Sequence, residues 1–153
     1  MSEEAEPRGY DRRLVRFWGF YWPVFAVGLI ASAIAGAILV PPGLVVIGED
    51  APLVLWPFFA WEGGSVSART AFLPLLLAAA ILAGRFSGGG QVPYGFAGAL
   101  GVILGALSGL YHDGLLTNAL LGVAVGVATG LAMWATGMLI RRLWPINAGG
   151  TDD

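Results

Sequence analysis

Cysteine and lysine are absent from these 153 residues, histidine occurs once, and only 12% of the chain is charged. Without cysteine there is no disulfide, thiolate metal site, iron–sulfur cluster or cysteine nucleophile. One histidine cannot supply both axial ligands of a bis-histidine haem, so no redox cofactor is expected on this chain alone. Without lysine there is no Walker-type phosphate loop, and SGGGQ at 87–91 reads as a flexible linker. A net charge of −2 with no clustered basic face excludes a nucleic-acid partner. A domain that folds in water carries about 25% charged residues. Half that content, with 57% hydrophobic residues and a mean hydropathy of +0.76, makes the lipid bilayer the expected solvent and the first partner.

What is present is apolar sequence in long runs. A membrane helix needs about 20 apolar residues to cross a hydrocarbon core of about 30 Å. The first run covers about 17–40 and is expected to stop at Pro41-Pro42, which cannot donate helical hydrogen bonds. The second covers about 66–86, with Pro74 as a kink. Residues 94–140 form one nearly unbroken apolar stretch, about 70 Å long if it were a single helix. It must fold back, and His112-Asp113-Gly114 is the polar break near its middle, giving spans of about 94–111 and 115–140.

The predicted architecture is therefore an all-α, polytopic membrane bundle of four transmembrane helices within residues 17–144, with an arm at 1–16 and a tail at 145–153. With both termini on one side, Arg8, Arg12, Arg13, Arg16, Arg85, Arg141 and Arg142 share that side, and only Arg69 faces the other. Basic loops mark the cytoplasmic face, so the arm and tail are expected inside, in a prokaryotic plasma membrane. The leader before the first run is long and carries Glu3, Glu4, Glu6 and Asp11, unlike the short basic start of a signal peptide. The first span is thus expected to stay as an anchor.

The outer segment 43–63 is too apolar for a free loop and too interrupted for a span. Trp56, Phe58, Phe59 and Trp61 suit the headgroup boundary, where a ring buries its body and keeps one edge wet. The segment is expected to lie along the interface as an anchor, or to re-enter the membrane.

Small residues recur every four positions: Gly28, Ser32 and Gly36 in the first span, Gly101, Gly105 and Gly109 in the third, Gly122, Gly126 and Gly130 in the fourth. Each triplet makes a nearly straight groove without side chains. Lipid gives helices little hydrophobic reason to associate, so close backbone approach must supply the contact. These faces, a glycine-zipper pattern, are expected to pack helices within the bundle, or to mediate self-association or docking onto another membrane protein.

Candidates for chemistry are few. The span interiors hold no Asp, Glu, Lys or His, and Arg69 and Arg85 fall near the ends of the second span, where they can snorkel. That pattern argues against an ion-coupled transporter. Ser108 and His112, four residues apart, share a helix face, with Asp113 adjacent. ALSG at 106–109 loosely matches the GxSG of rhomboid-type intramembrane proteases, but Ala106 replaces the first glycine and the histidine follows on the same helix. A metal site would need several of His112, Asp113, Glu49, Asp50 and Glu62, which no spacing rule unites. His112, Asp113 and Gly114 read more simply as a hairpin turn: a histidine at the negative end of one helix, an aspartate capping the next, and a glycine for the tight backbone. A pH-sensitive role for His112 is the functional alternative.

The expected function is a non-enzymatic structural, accessory or assembly component of the membrane, without metal or cofactor. A small oligomeric channel or transporter is the second expectation, and an intramembrane hydrolase the third.

Overall fold

The computed structural model describes residues 9–46, 52–111 and 115–144. The described residues form helices and no strands. They are α1 (Gly9–Val46), a short 3₁₀ turn (Leu53–Leu55), α2 (Trp56–Ser87), α3 (Gly95–Tyr111) and α4 (Leu115–Leu143). Three of them, α1, α2 and α4, are long and apolar enough to cross a membrane. The 17 residues of α3 rise about 25 Å, slightly less than a hydrocarbon core.

Successive helices run antiparallel. On α1 and α2, Phe20 stacks on Phe86 with ring centroids 5.9 Å apart, and Ser32 Oγ donates to the Ser67 carbonyl at 3.2 Å. On α3 and α4, Ala97 lies against Gly130, and Ser108 against Gly122. The two hairpins join mainly through α1 and α4, where Gly28 meets Met133, and Gly43 meets Leu121. Trp144 lies beside Gly19, so the start of α1 and the end of α4 share one end of the bundle.

Two expected boundaries are corrected. First, α1 does not stop at Pro41-Pro42 but continues to Val46. Each proline still removes a helical hydrogen bond, yet its fixed φ is compatible with a helix. The extension is held by tertiary contact: Pro41 is buried, Val40 packs on Gly63, and Gly43 packs on Leu121. Neighbouring helices make proline tolerable in membrane helices for this reason.

Second, the second helix starts at Trp56 rather than Val66, ten residues earlier. Residues 56–63 of the expected interfacial or re-entrant segment are thus the first turns of α2, and 43–46 are the last of α1. Pro57 sits in the first turn, where its missing N–H costs nothing and its φ is already helical. Gly63 and Gly64 then lie flush on α1, 2.6 Å from Val40 Cβ and 2.9 Å from the Ala33 carbonyl for a methyl placed on each. Arg69 is consequently thirteen residues, about 20 Å, inside α2 rather than near its end.

The core is a column of Phe20, Val24, Leu75, Leu82, Phe86, Leu100, Leu104 and Met133 with alanines of α2 between them. Around it the usual polarity of a protein in water is inverted. The buried row of α1 is Phe20, Val24, Gly28, Ser32 and Gly36, whereas Ile30, Ile34 and Ile38 form an exposed row.

Candidate functional site

The four-residue glycine rows are consumed by contacts inside the chain. A methyl group on Gly126 would lie 2.6 Å from Gly101 Cα, and one on Gly130 2.7 Å from Ala97 Cα. A methyl group would lie 2.8 Å from the Ala119 carbonyl on Gly105, 2.8 Å from the Leu104 carbonyl on Gly122, and 3.1 Å from the Val123 carbonyl on Gly101. A methyl group on Gly36 would lie 2.5 Å from the Gly63 carbonyl, and one on Gly28 2.8 Å from Met133 Sδ. Gly109 is buried, as is Ser32. Gly98 and Gly84, outside the rows, have open space before them. The rows therefore include Gly101, Gly105, Gly122, Gly126 and Gly130 among the contact glycines, but close contacts also occur outside them, at Gly137 of α4 and at Gly43, Gly63 and Gly64.

Of the aromatic anchors, Phe58 and Trp61 are exposed, and Trp56 and Phe59 half-buried, all in the first turns of α2. Phe58 and Phe59 meet edge to face at 5.9 Å. At the other end of the bundle a second aromatic group occupies α1, with Trp18 stacked on Trp22 at 6.0 Å and Tyr21 stacked on Phe25 at 6.2 Å.

That other end also holds a hydrogen-bonded latch. The Arg141 guanidinium donates to the carbonyls of Gly89 and Gly90, each at 3.1 Å, and Trp134 Nε1 donates to the Val92 carbonyl at 2.8 Å. The α2–α3 connection turns through Gly89 at φ +76°, a conformation that favours glycine. Arginine and tryptophan thus tie the linker 87–91 and its continuation to α4, a role that composition concealed.

Two concavities separate the hairpins. A recess of about 300 Å³ opens at the end bearing Trp56 and Trp61 and takes residues from every helix. Its polar lining comprises Glu62, Ser67 and Thr70 of α2, Ser108 of α3 and Asn118 of α4, over Ala71, Leu104 and Val125. Below it, Leu75, Leu100 and Met133 are buried and close the bundle. Hydroxyls, an amide and one carboxylate thus line the recess. A longer groove of about 650 Å³ runs between α2 and α3, from Arg69 and Thr70 past Leu73, Leu77 and Ile103 to Ile81 and Phe96.

Ser108, the serine of the hydrolase reading, lines the recess and packs on Gly122. His112, Asp113 and Gly114 lie outside the described residues, as do Glu49 and Asp50. Among the described residues no group of three His, Cys, Asp or Glu side chains is positioned to hold a metal ion. No protein-family model, curated protein or solved structure matches this chain.

Proposed function

We propose that this chain is a non-enzymatic accessory or assembly component of a prokaryotic plasma membrane, crossing it four times with both termini cytoplasmic. The observation that carries the reading is the inverted exterior. The outward rows are Ile30, Ile34 and Ile38 on α1 and Leu73, Leu77 and Ile81 on α2, while glycine, alanine and serine fill the contacts within. Such a surface is stable against lipid or another membrane protein, not against water.

The levels of the aromatic groups support a spanning arrangement. Gly63 packs between Gly36 and Val40, which sets Trp61 close to the height of residue 39 on α1. Trp18 is then about 30 Å below Trp61, the thickness of a hydrocarbon core. Arg13, Arg16, Arg85, Arg141 and Arg142 gather at the Trp18 end, which supports a cytoplasmic assignment for that end. Because α3 lies along α4 and connects the two ends, a fourth, slightly short crossing follows.

Since the glycine rows are occupied internally, docking on a second copy or a larger membrane protein falls to the outward isoleucine row of α1. Crosslinking through Ile34→Cys in native membranes tests this. A discrete crosslinked species is expected. Recovery of a lone monomer with no partner at low detergent overturns the assignment.

The polar recess favours one second reading, an oligomeric channel or transporter for a small solute. Leu75, Leu100 and Met133 are buried farther along the bundle, so a path across it requires these side chains to part. Solute flux in proteoliposomes that is lost in Asn118→Leu establishes that reading; absence of flux removes it.

A further inference from the structure

We propose that the groove between α2 and α3 is a binding site for one acyl chain of an anionic phospholipid, with the lipid phosphate on Arg69. The groove has one charged lining residue, Arg69, at one end, joined there by the Thr70 hydroxyl, and its remaining walls are carbon. The occupant it fits is therefore an amphiphile with a single negative head and an apolar tail.

Length and direction agree with a single acyl chain whose head lies toward the Trp61 end. From Arg69 to Ile81 the groove follows α2 for twelve residues, about 18 Å, against roughly 15 Å for half a hydrocarbon core. Arg69 stands eight residues, about 12 Å, along α2 from Trp61. Helical side chains lean toward the N-terminus of their helix, which here is the Trp56 end. The long arginine stem can lie on the apolar wall while its guanidinium rises toward headgroup level.

The charge has no counterpart built into α2. Glu62, the one acid of that helix, is seven residues from Arg69 and lines the recess, not the groove. A cation within a spanning segment is costly unless paired, and a guanidinium binds phosphate through paired, charge-assisted hydrogen bonds. Zwitterionic lipid offers the same tail but cancels the attraction with its own cation. A helix from a second copy would fill the walls and leave Arg69 unpaired.

The inference rests on the membrane-spanning reading but not on the docking partner, so its failure leaves the Ile34→Cys crosslink outcome intact. The test is native mass spectrometry of the full chain released from bilayers of equal phosphatidylglycerol and phosphatidylcholine. Wild type is expected to retain phosphatidylglycerol preferentially. Arg69→Gln should reduce that preference at least about tenfold, the scale of a lost charge-assisted contact, and Arg69→Lys should keep part of it. Ile103 is half exposed on the groove edge, so Ile103→Trp fills the groove without entering the core and should lower retention of both lipids. Equal retention of the two lipids by wild type overturns the proposal, as does an Arg69→Gln variant that keeps the preference. Unchanged retention in Ile103→Trp, or a lipid-free dimer of the Leu77→Cys variant that crosslinks, also overturns it.

Discussion

Gly126 of α4 and Gly101 of α3 are in backbone contact: a methyl group on Gly126 would sit 2.6 Å from Gly101 Cα and 2.9 Å from the Leu100 carbonyl. Neither atom belongs to a side chain that can swing away. Gly126→Ala therefore forces the helices apart, at a cost on the order of 1–3 kcal/mol. Gly98→Ala, three residues from Gly101 but facing open space, should be neutral or stabilising by up to about 1 kcal/mol through helix propensity. Unfolding in detergent distinguishes them, and equal loss from both variants would show that glycine content matters rather than contact.

Arg141 holds the α2–α3 connection through two carbonyls, while the adjacent Arg142 is exposed. Arg141→Ala should destabilise the protein by roughly 1–3 kcal/mol, since hydrogen bonds to a charged donor are lost. It should also open the linker 87–91 to limited proteolysis. Arg142→Ala is the comparison and should show little of either effect.

Thr129 is fully buried, and its hydroxyl has no hydrogen-bond partner among the described residues. A buried polar atom left unpaired costs stability that an apolar atom of the same shape does not. Thr129→Val should leave stability unchanged or raise it by about 1 kcal/mol. A loss of more than that, measured by thermal unfolding in detergent, would reveal a partner for the hydroxyl.

Single cysteines at the exposed Leu53 and Gln91, on either side of α2, report the crossing pattern, because the protein has no native cysteine. A membrane-impermeant maleimide on intact cells should label Leu53→Cys and spare Gln91→Cys until the membrane is opened. The reverse pattern would invert the orientation, and equal labelling would deny that α2 crosses.

Much of the bundle was legible along the chain. A long apolar helix advertises itself by uninterrupted apolar residues, and the apolar stretch that begins at 94 is divided between α3 and α4. The errors fell at prolines. Pro41-Pro42 reads locally as a stop, and WPFF at 56–59 as an interruption, because proline removes hydrogen bonds wherever it stands. Whether a helix continues through it depends on what packs alongside, and Gly63 and Leu121 are distant in sequence from the prolines they support.

The sequence by itself determined the long apolar helices, the all-helical class of the described residues and the positions where side chains are missing, since hydropathy and glycine spacing are properties of single segments. Tertiary structure decided which glycines are contacts and which are not. Gly98 and Gly101 are alike in composition, and only the placement of α4 leaves one facing open space and the other against Gly126. It also decided the place of Arg69. The added turns at the start of α2 move this residue from a helix end into the wall of a groove that α3 completes. No single segment encodes that wall, because a groove exists only between two helices.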